Sequence, residues 1–239
     1  MTLSPADLWL FVGSFLALLL VPATLGRAAW LFPAWFAGVG LFTLFAPEAL
    51  HPAGNVWVWL ALTQGPWLLL VPDLLARGLA ARALDAVPLR ALLALSLLHL
   101  IGARHVFNAL HGALAPEAGL EIAVGDTLTA LGAAALWTLY RTGRTSRLWF
   151  RLLALFWNAH ALAGTLAFSV RLARAHPAAP AAWQVPEPEL HALFAGWPGA
   201  LEALFWVPLA LVVHAAVFYK LIVVRNENTV ADVYPGRPS

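Results

Sequence analysis

Seven long apolar stretches, joined by short turns that alternate between arginine-rich and arginine-free, constrain this chain more than any other feature. A bilayer core takes about 20 apolar residues per helix. Within it, every backbone N–H and C=O has to be bonded inside the segment. The stretches therefore predict an all-α, polytopic seven-transmembrane-helix bundle, with helices over 6–26, 28–46, 55–77, 88–113, 118–141, 146–175 and 195–224. Residues 1–224 make one transmembrane domain, and 225–239 a polar cytoplasmic tail ending in Pro-Gly-Arg-Pro-Ser. Composition agrees. Hydrophobic residues are 62% of the chain and charged residues 11%, where a soluble domain has roughly half and a quarter.

The same composition excludes several classes. A net charge of +2 with scattered arginines excludes a nucleic-acid partner. The absence of cysteine excludes disulfides, thiolate metal sites and cysteine nucleophiles. The start lacks the basic region of a cleavable signal peptide. Ser4 and Asp7 instead have the spacing of a capping box, with Pro5 at the first helical position. Glu187-Pro188-Glu189 followed by Leu190, Leu193 and Phe194 predicts a short surface helix in the longest connection.

Positive charge assigns the sides. Arg27 lies in the first turn, Arg77, Arg82 and Arg90 flank the third, Arg141, Arg144, Arg147 and Arg151 the fifth, and Lys220 and Arg225 close the last helix. The second and fourth turns carry Glu48, His51 and Glu117 but no arginine or lysine. By the positive-inside rule the N-terminus is outside and the C-terminus cytoplasmic. Only Arg171 and Arg174 run against this.

Polar residues inside the spans are the candidates for function, because a charge in hydrocarbon costs about 2.5–3.5 kcal/mol or more without a partner. The fourth helix carries Arg104, His105 and Asn108, and the fifth carries Glu121 and Asp126. Arg104 and Asp126 are equally far from the turn near Ala115, which predicts an ion pair between them. Gln64, Asn158, Thr165 and Glu202 fall at similar depth. Arg104, His105, Asn108, Asp126, Asn158 and Glu202 thus form a candidate site for a solute or a proton, as an outer-half pocket. A single register-fixing ion pair is the structural alternative.

Four histidines, His99, His105, His160 and His214, lie within spans. At 100° per residue, His99 and His105 point in different directions, so one helix does not make a site. His99 and His160 share a depth, which keeps a bis-histidine haem b open as a minority reading. No metal or other cofactor is indicated. Lys220 is too near the end of its helix for a retinal lysine, and His214 stands alone where seven-helix zinc hydrolases need a pair. Gly125, Thr129 and Gly132 form a small-residue stripe suited to close helix packing.

Three segments resemble a group of uncharacterised bacterial multi-pass membrane proteins. They are Pro116 to Asp126 with its Gly125-Asp126 pair, Trp157-Asn158, and Val207-Pro208-Leu209 followed by His214. The resemblance covers the C-terminal half, implies a protein of unknown activity in a bacterial cytoplasmic membrane, and singles out Asp126, Asn158 and His214. Members often carry an aspartate shortly after the Trp-Asn pair, where this chain has Ala161 and Ala163.

Three functions fit. The first is a membrane protein that binds or transports a small solute or protons in the outer-half pocket. The second is a helical subunit of a larger membrane complex with partner subunits and haem or quinone. The third is a lipid-acting enzyme using Asp126 and His105 as acid and base.

Overall fold

A computed structural model describes Ser4 and residues 6–10, 12, 37–39, 41, 56–142, 148–195 and 199–223. The described residues are helical, with turns between. They form α1 (Val56–Leu75), α2 (Leu79–Asp85), α3 (Leu89–Leu110), α4 (Pro116–Arg141), α5 (Leu148–Arg174), α6 (Pro188–Ala195) and α7 (Gly199–Ile222). Four of these, α3, α4, α5 and α7, are long and apolar enough to cross a membrane, which makes the chain a multi-pass membrane protein by length and composition. The two expected helices over 6–26 and 28–46 lie mostly outside the described residues. Where the first begins, Asp7 N–H donates to Ser4 Oγ at 3.2 Å and Ser4 N–H to Asp7 Oδ2 at 3.0 Å, the reciprocal bonds of a capping box.

Local chemistry sets the ends. Gly112, at φ +71°, follows α3. Its N–H meets the Ala109 carbonyl at 3.2 Å and Ala113 N–H meets Asn108 at 2.8 Å, so two orphan carbonyls are satisfied in a Schellman turn. The same turn ends α1, with Arg77 N–H on Leu74 and Gly78 N–H on Asp73. There, however, the left-handed position is filled by Arg77, at φ +53°. Glycine is displaced to 78, where a Cβ would lie 2.0 Å from Asp73 Oδ1. Asp73 spends its carboxylate on the N–H groups of Leu79, Ala80 and Ala81, capping α2. Pro116 and Glu117 open α4 and Arg141 closes it, in agreement with the helix dipole.

α7 is the axis of the bundle. Nearly all of its described side chains are buried, against α1, α3 and α5. Near α2, Leu92, Leu136, Phe150, Ala154, Trp157 and Val217 form one core. Near α6, Leu114, Leu172, Leu190, Phe194 and Leu204 form another. The short helix expected in the longest connection is α6: Leu190 and Phe194 pack into the bundle and are almost wholly buried, while Glu189 and Ala192 stay exposed on its other face. Lys220, also buried, reaches the Asp85 carbonyl at 2.9 Å, and Tyr219 donates to Asp85 Oδ1 at 3.1 Å, tying α7 to α2.

Two departures from regular helix shape the middle of the bundle. Residues Ser96–Arg104 of α3 wind as a 3₁₀ helix. In α7, Glu202–Trp206 make a π turn immediately ahead of Pro208. Proline has no N–H to bond one turn back and its ring crowds that carbonyl; the wider turn relieves both.

Candidate functional site

The 3₁₀ winding decides which polar groups meet. At three residues per turn, side chains three apart eclipse, so His99 and Gly102 stack on one face of α3. That face meets Asp126 of α4. His99 Nδ1 is 2.7 Å from Asp126 Oδ1, and a Cβ on Gly102 would lie 1.7 Å from Asp126 Oδ2. Arg104, two residues on, is turned away. The expected Arg104–Asp126 pair is therefore not formed: Asp126 faces His99 and Gly102, while Arg104 points to another face of the helix.

Arg104 pairs with Glu202 of α7 instead. Its Nε donates to Glu202 Oε2 at 2.6 Å. Its Nη2 touches the same oxygen without the alignment of a hydrogen bond, so that contact is one of charge alone. His105 Nε2 donates to Glu202 Oε1 at 2.8 Å, and Asn108 Nδ2 donates to His105 Nδ1 at 3.1 Å. A carboxylate only accepts, so these bonds fix the His105 proton on Nε2. Phe194 covers the guanidinium, with Cζ 5.9 Å from the ring centroid. All four polar residues are buried, with Arg104 at 1% exposure and His105 at 0%.

A second set runs from α4 through α3 and α7 to α5. Asp126 bonds His99, His99 Nε2 lies 3.0 Å from His214 Nε2, and His214 Nδ1 lies 2.8 Å from Asn158 Oδ1. Asn158 Nδ2 also donates to the His214 carbonyl at 2.9 Å. Below it, Trp157 Nε1 donates to the Thr129 carbonyl at 3.0 Å and the indole fills the notch left by Gly132. The small-residue stripe thus packs closely at Gly132 but not at Gly125, where an added Cβ would meet nothing within 4 Å.

Gly125 instead lines a partly open cavity of about 300 Å³ bordered by α3, α4, α5 and α7. Asp126, His99, His214 and Glu202 stand in its wall among mostly apolar neighbours. Its border between α4 and α5 includes exposed Gly164 and His160. The two helices touch at Trp157 and Gly132. Toward α6 they are linked by Arg171 Nη1, which donates to Glu121 Oε2 at 2.9 Å.

Of the six expected site residues, Asp126 and Glu202 border the cavity. Arg104, His105 and Asn108 belong to the buried cluster behind Glu202, and Asn158 is reached through His214. There are two polar sets, not one. Gln64 joins neither; it takes a hydrogen bond from Trp67 Nε1 at 2.8 Å and bonds Ser169, tying α1 to α5. The minority reading of a haem between His99 and His160 gains no support from the geometry: the two His99 nitrogens face Asp126 and His214, and His160 is exposed. Arg171 and Arg174, the exceptions to the charge rule, have structural partners. Arg171 forks onto Glu187 at 2.7 and 2.9 Å, and Arg174 Nε donates to the Trp183 carbonyl at 2.8 Å. The site partner missed from the sequence is His99. The signal was its spacing of three from Gly102, legible only with 3₁₀ winding.

The four apolar spans and the polar set they enclose define a multi-pass helical membrane protein. No family model, curated protein or solved structure matches the chain.

Proposed function

We propose that this protein binds a small solute in the cavity between α3, α4, α5 and α7, with Asp126 and the His99–His214 pair at its polar end. The observation that carries the reading is the placement of that polar set in the wall of a cavity of about 300 Å³ inside four apolar helices. Polar groups in such surroundings are costly unless something bonds them. A pocket that is mostly apolar, with a few convergent polar groups, is the usual form of a small-molecule site. In the proposed topology the bundle has seven spans, the N-terminus outside and the C-terminus in the cytoplasm. The arginine-rich third and fifth turns support this. The partners that Arg171 and Arg174 find in Glu187, Glu121 and Trp183 account for the two arginines that break the rule. The cavity then lies toward the outer side.

Filling the cavity border tests the reading. Gly125→Leu and Gly164→Leu place bulk where an added Cβ meets nothing, so the fold should tolerate both. Small molecules extracted from purified wild type and variants are compared by mass spectrometry. A compound retained by the wild type and lost from both variants at unchanged melting temperature is the expected result. Identical extracts would remove the solute reading.

A further inference from the structure

His160, Gly164 and Ala167 lie along one stripe of α5, and all three are exposed while also lining the cavity. Across from them on α4 stands Gly125, which has no side chain to close the gap. One end of the gap is Trp157 in the notch of Gly132, and the other is the Arg171–Glu121 ion pair. From Glu121 to Gly132 is about 16 Å along the helix. α4 and α5 are the least buried of the four spans. The large side chains beside the gap, Val124 and Leu128 on α4 and Phe156 on α5, are exposed, as suits contact with hydrocarbon. The cavity therefore opens sideways, between two lipid-facing helices.

The polar end of the cavity carries no net charge. Asn158 Nδ2 donates to the His214 carbonyl at 2.9 Å, so Asn158 Oδ1 accepts from His214 Nδ1 at 2.8 Å. The two Nε2 atoms, 3.0 Å apart, share an N–H···N bond, and His99 Nδ1 meets Asp126 Oδ1 at 2.7 Å. Each of these three bonds holds one proton. Two of the protons belong to neutral imidazoles, and the third balances the Asp126 carboxylate. Glu202, also in the wall, is balanced by Arg104. Asp126 Oδ1 is thus spent on His99, while Oδ2 receives no hydrogen bond from any described residue, and the side chain is 28% exposed.

We propose that the occupant is a neutral, hydroxyl-headed amphiphile dissolved in the bilayer, which enters between α4 and α5 and donates its hydroxyl to Asp126 Oδ2. The inference rests on the solute pocket proposed above and names the class of solute. A carboxylate oxygen asks for a donor, and a set without net charge gives an ammonium no advantage over a hydroxyl. The apolar walls, among them Leu98, Ile122 and Phe168, take hydrocarbon. About 300 Å³ is the small end of the range for ligand pockets, so the cavity holds the head and the first part of the molecule. The gap lets the remainder lie among the lipid chains. A fatty or isoprenoid alcohol, a sterol and a quinol share this chemistry.

The test uses the full chain in lipid nanodiscs with a photoreactive long-chain alcohol, and with the methyl ether and the primary amine of the same chain. Crosslinked positions are read by mass spectrometry. The alcohol should label the cavity-lining residues of α4 and α5 about tenfold more than the ether, as one hydrogen bond to a charged group gives, and more than the amine. Asp126→Leu should bring alcohol and ether level. Gly164→Trp fills the gap from a position where an added Cβ meets nothing, and should remove the cavity labelling. Helical circular dichroism checks that both variants are folded, and the comparison of alcohol with ether needs only the wild type. In the extracts of the wild type, a fatty or isoprenoid alcohol, a sterol or a quinol is each recognised by its mass. Equal cavity labelling by alcohol and ether would overturn the proposal, as would a preference for the amine. A water-soluble compound held by the wild type and lost from Gly125→Leu and Gly164→Leu would overturn it too, and leave the solute reading standing. Identical extracts, with no cavity labelling by any of the three probes, would remove both.

Discussion

Arg104 and Glu202 close a buried ion pair between α3 and α7, Nε to Oε2 at 2.6 Å, although 98 positions separate them in the chain. His105 and Asn108 complete the ring of bonds around the carboxylate, and Phe194 seals it. The pair therefore depends on three elements arriving together: the 3₁₀ segment, the π turn and the buried face of α6.

Breaking this pair from one side should be expensive. Arg104→Leu or Glu202→Leu alone leaves a buried charge and is expected to cost about 3–5 kcal/mol. The double variant should recover a large part of that loss in detergent melts. Arg104→Leu with Asp126→Leu should recover none of it. Recovery with Asp126 and not with Glu202 would refute the pairing.

At the end of α1, Arg77 holds the left-handed conformation that favours glycine. A non-glycine residue there carries a penalty of about 1–2 kcal/mol. Arg77→Gly should raise stability by part of that amount, against the greater chain entropy of glycine when unfolded. Chemical denaturation of the two proteins compares them; a less stable Arg77→Gly would contradict the backbone assignment.

Gly102 is needed because Asp126 lies against it. Gly102→Val forces the carboxylate away from His99 and is expected to destabilise by about 1–3 kcal/mol. Gly125→Ala, on the cavity side, adds a methyl that meets nothing. It should be neutral or stabilising by a few tenths of a kcal/mol up to about 1 kcal/mol. Equal melting shifts for the two variants would show that α3 and α4 do not meet at Gly102.

The chain has no cysteine, so single cysteines report topology directly. Ala182, exposed in the connection before α6, and Thr142, exposed after α4, lie at opposite ends of the bundle. In intact cells an impermeant maleimide should label Ala182→Cys and spare Thr142→Cys. The reverse pattern would invert the proposed orientation.

What the sequence determined by itself is the part of this protein that follows from local chemistry. Apolar length dictates spanning helices, and α3, α4, α5 and α7 fall close to their expected bounds. Ser4 and Asp7 cap as their spacing requires, because a capping box is closed within four residues. The turn read near Ala115 is bounded by Gly112 and Pro116, each acting on its own backbone.

Only the tertiary structure decided which polar groups face each other. Direction around a helix depends on residues per turn, and a 100° step was the wrong step between Ser96 and Arg104. With 3₁₀ winding, His99 and Gly102 fall on the Asp126 face and Arg104 falls on the face of Glu202. A change of pitch over these nine residues therefore gave both members of the expected pair other partners, His99 for Asp126 and Glu202 for Arg104. No local pattern encodes that pitch. It is settled by packing, where the missing side chain of Gly102 lets α4 come close and α7, widened ahead of Pro208, brings Glu202 and His214 within reach.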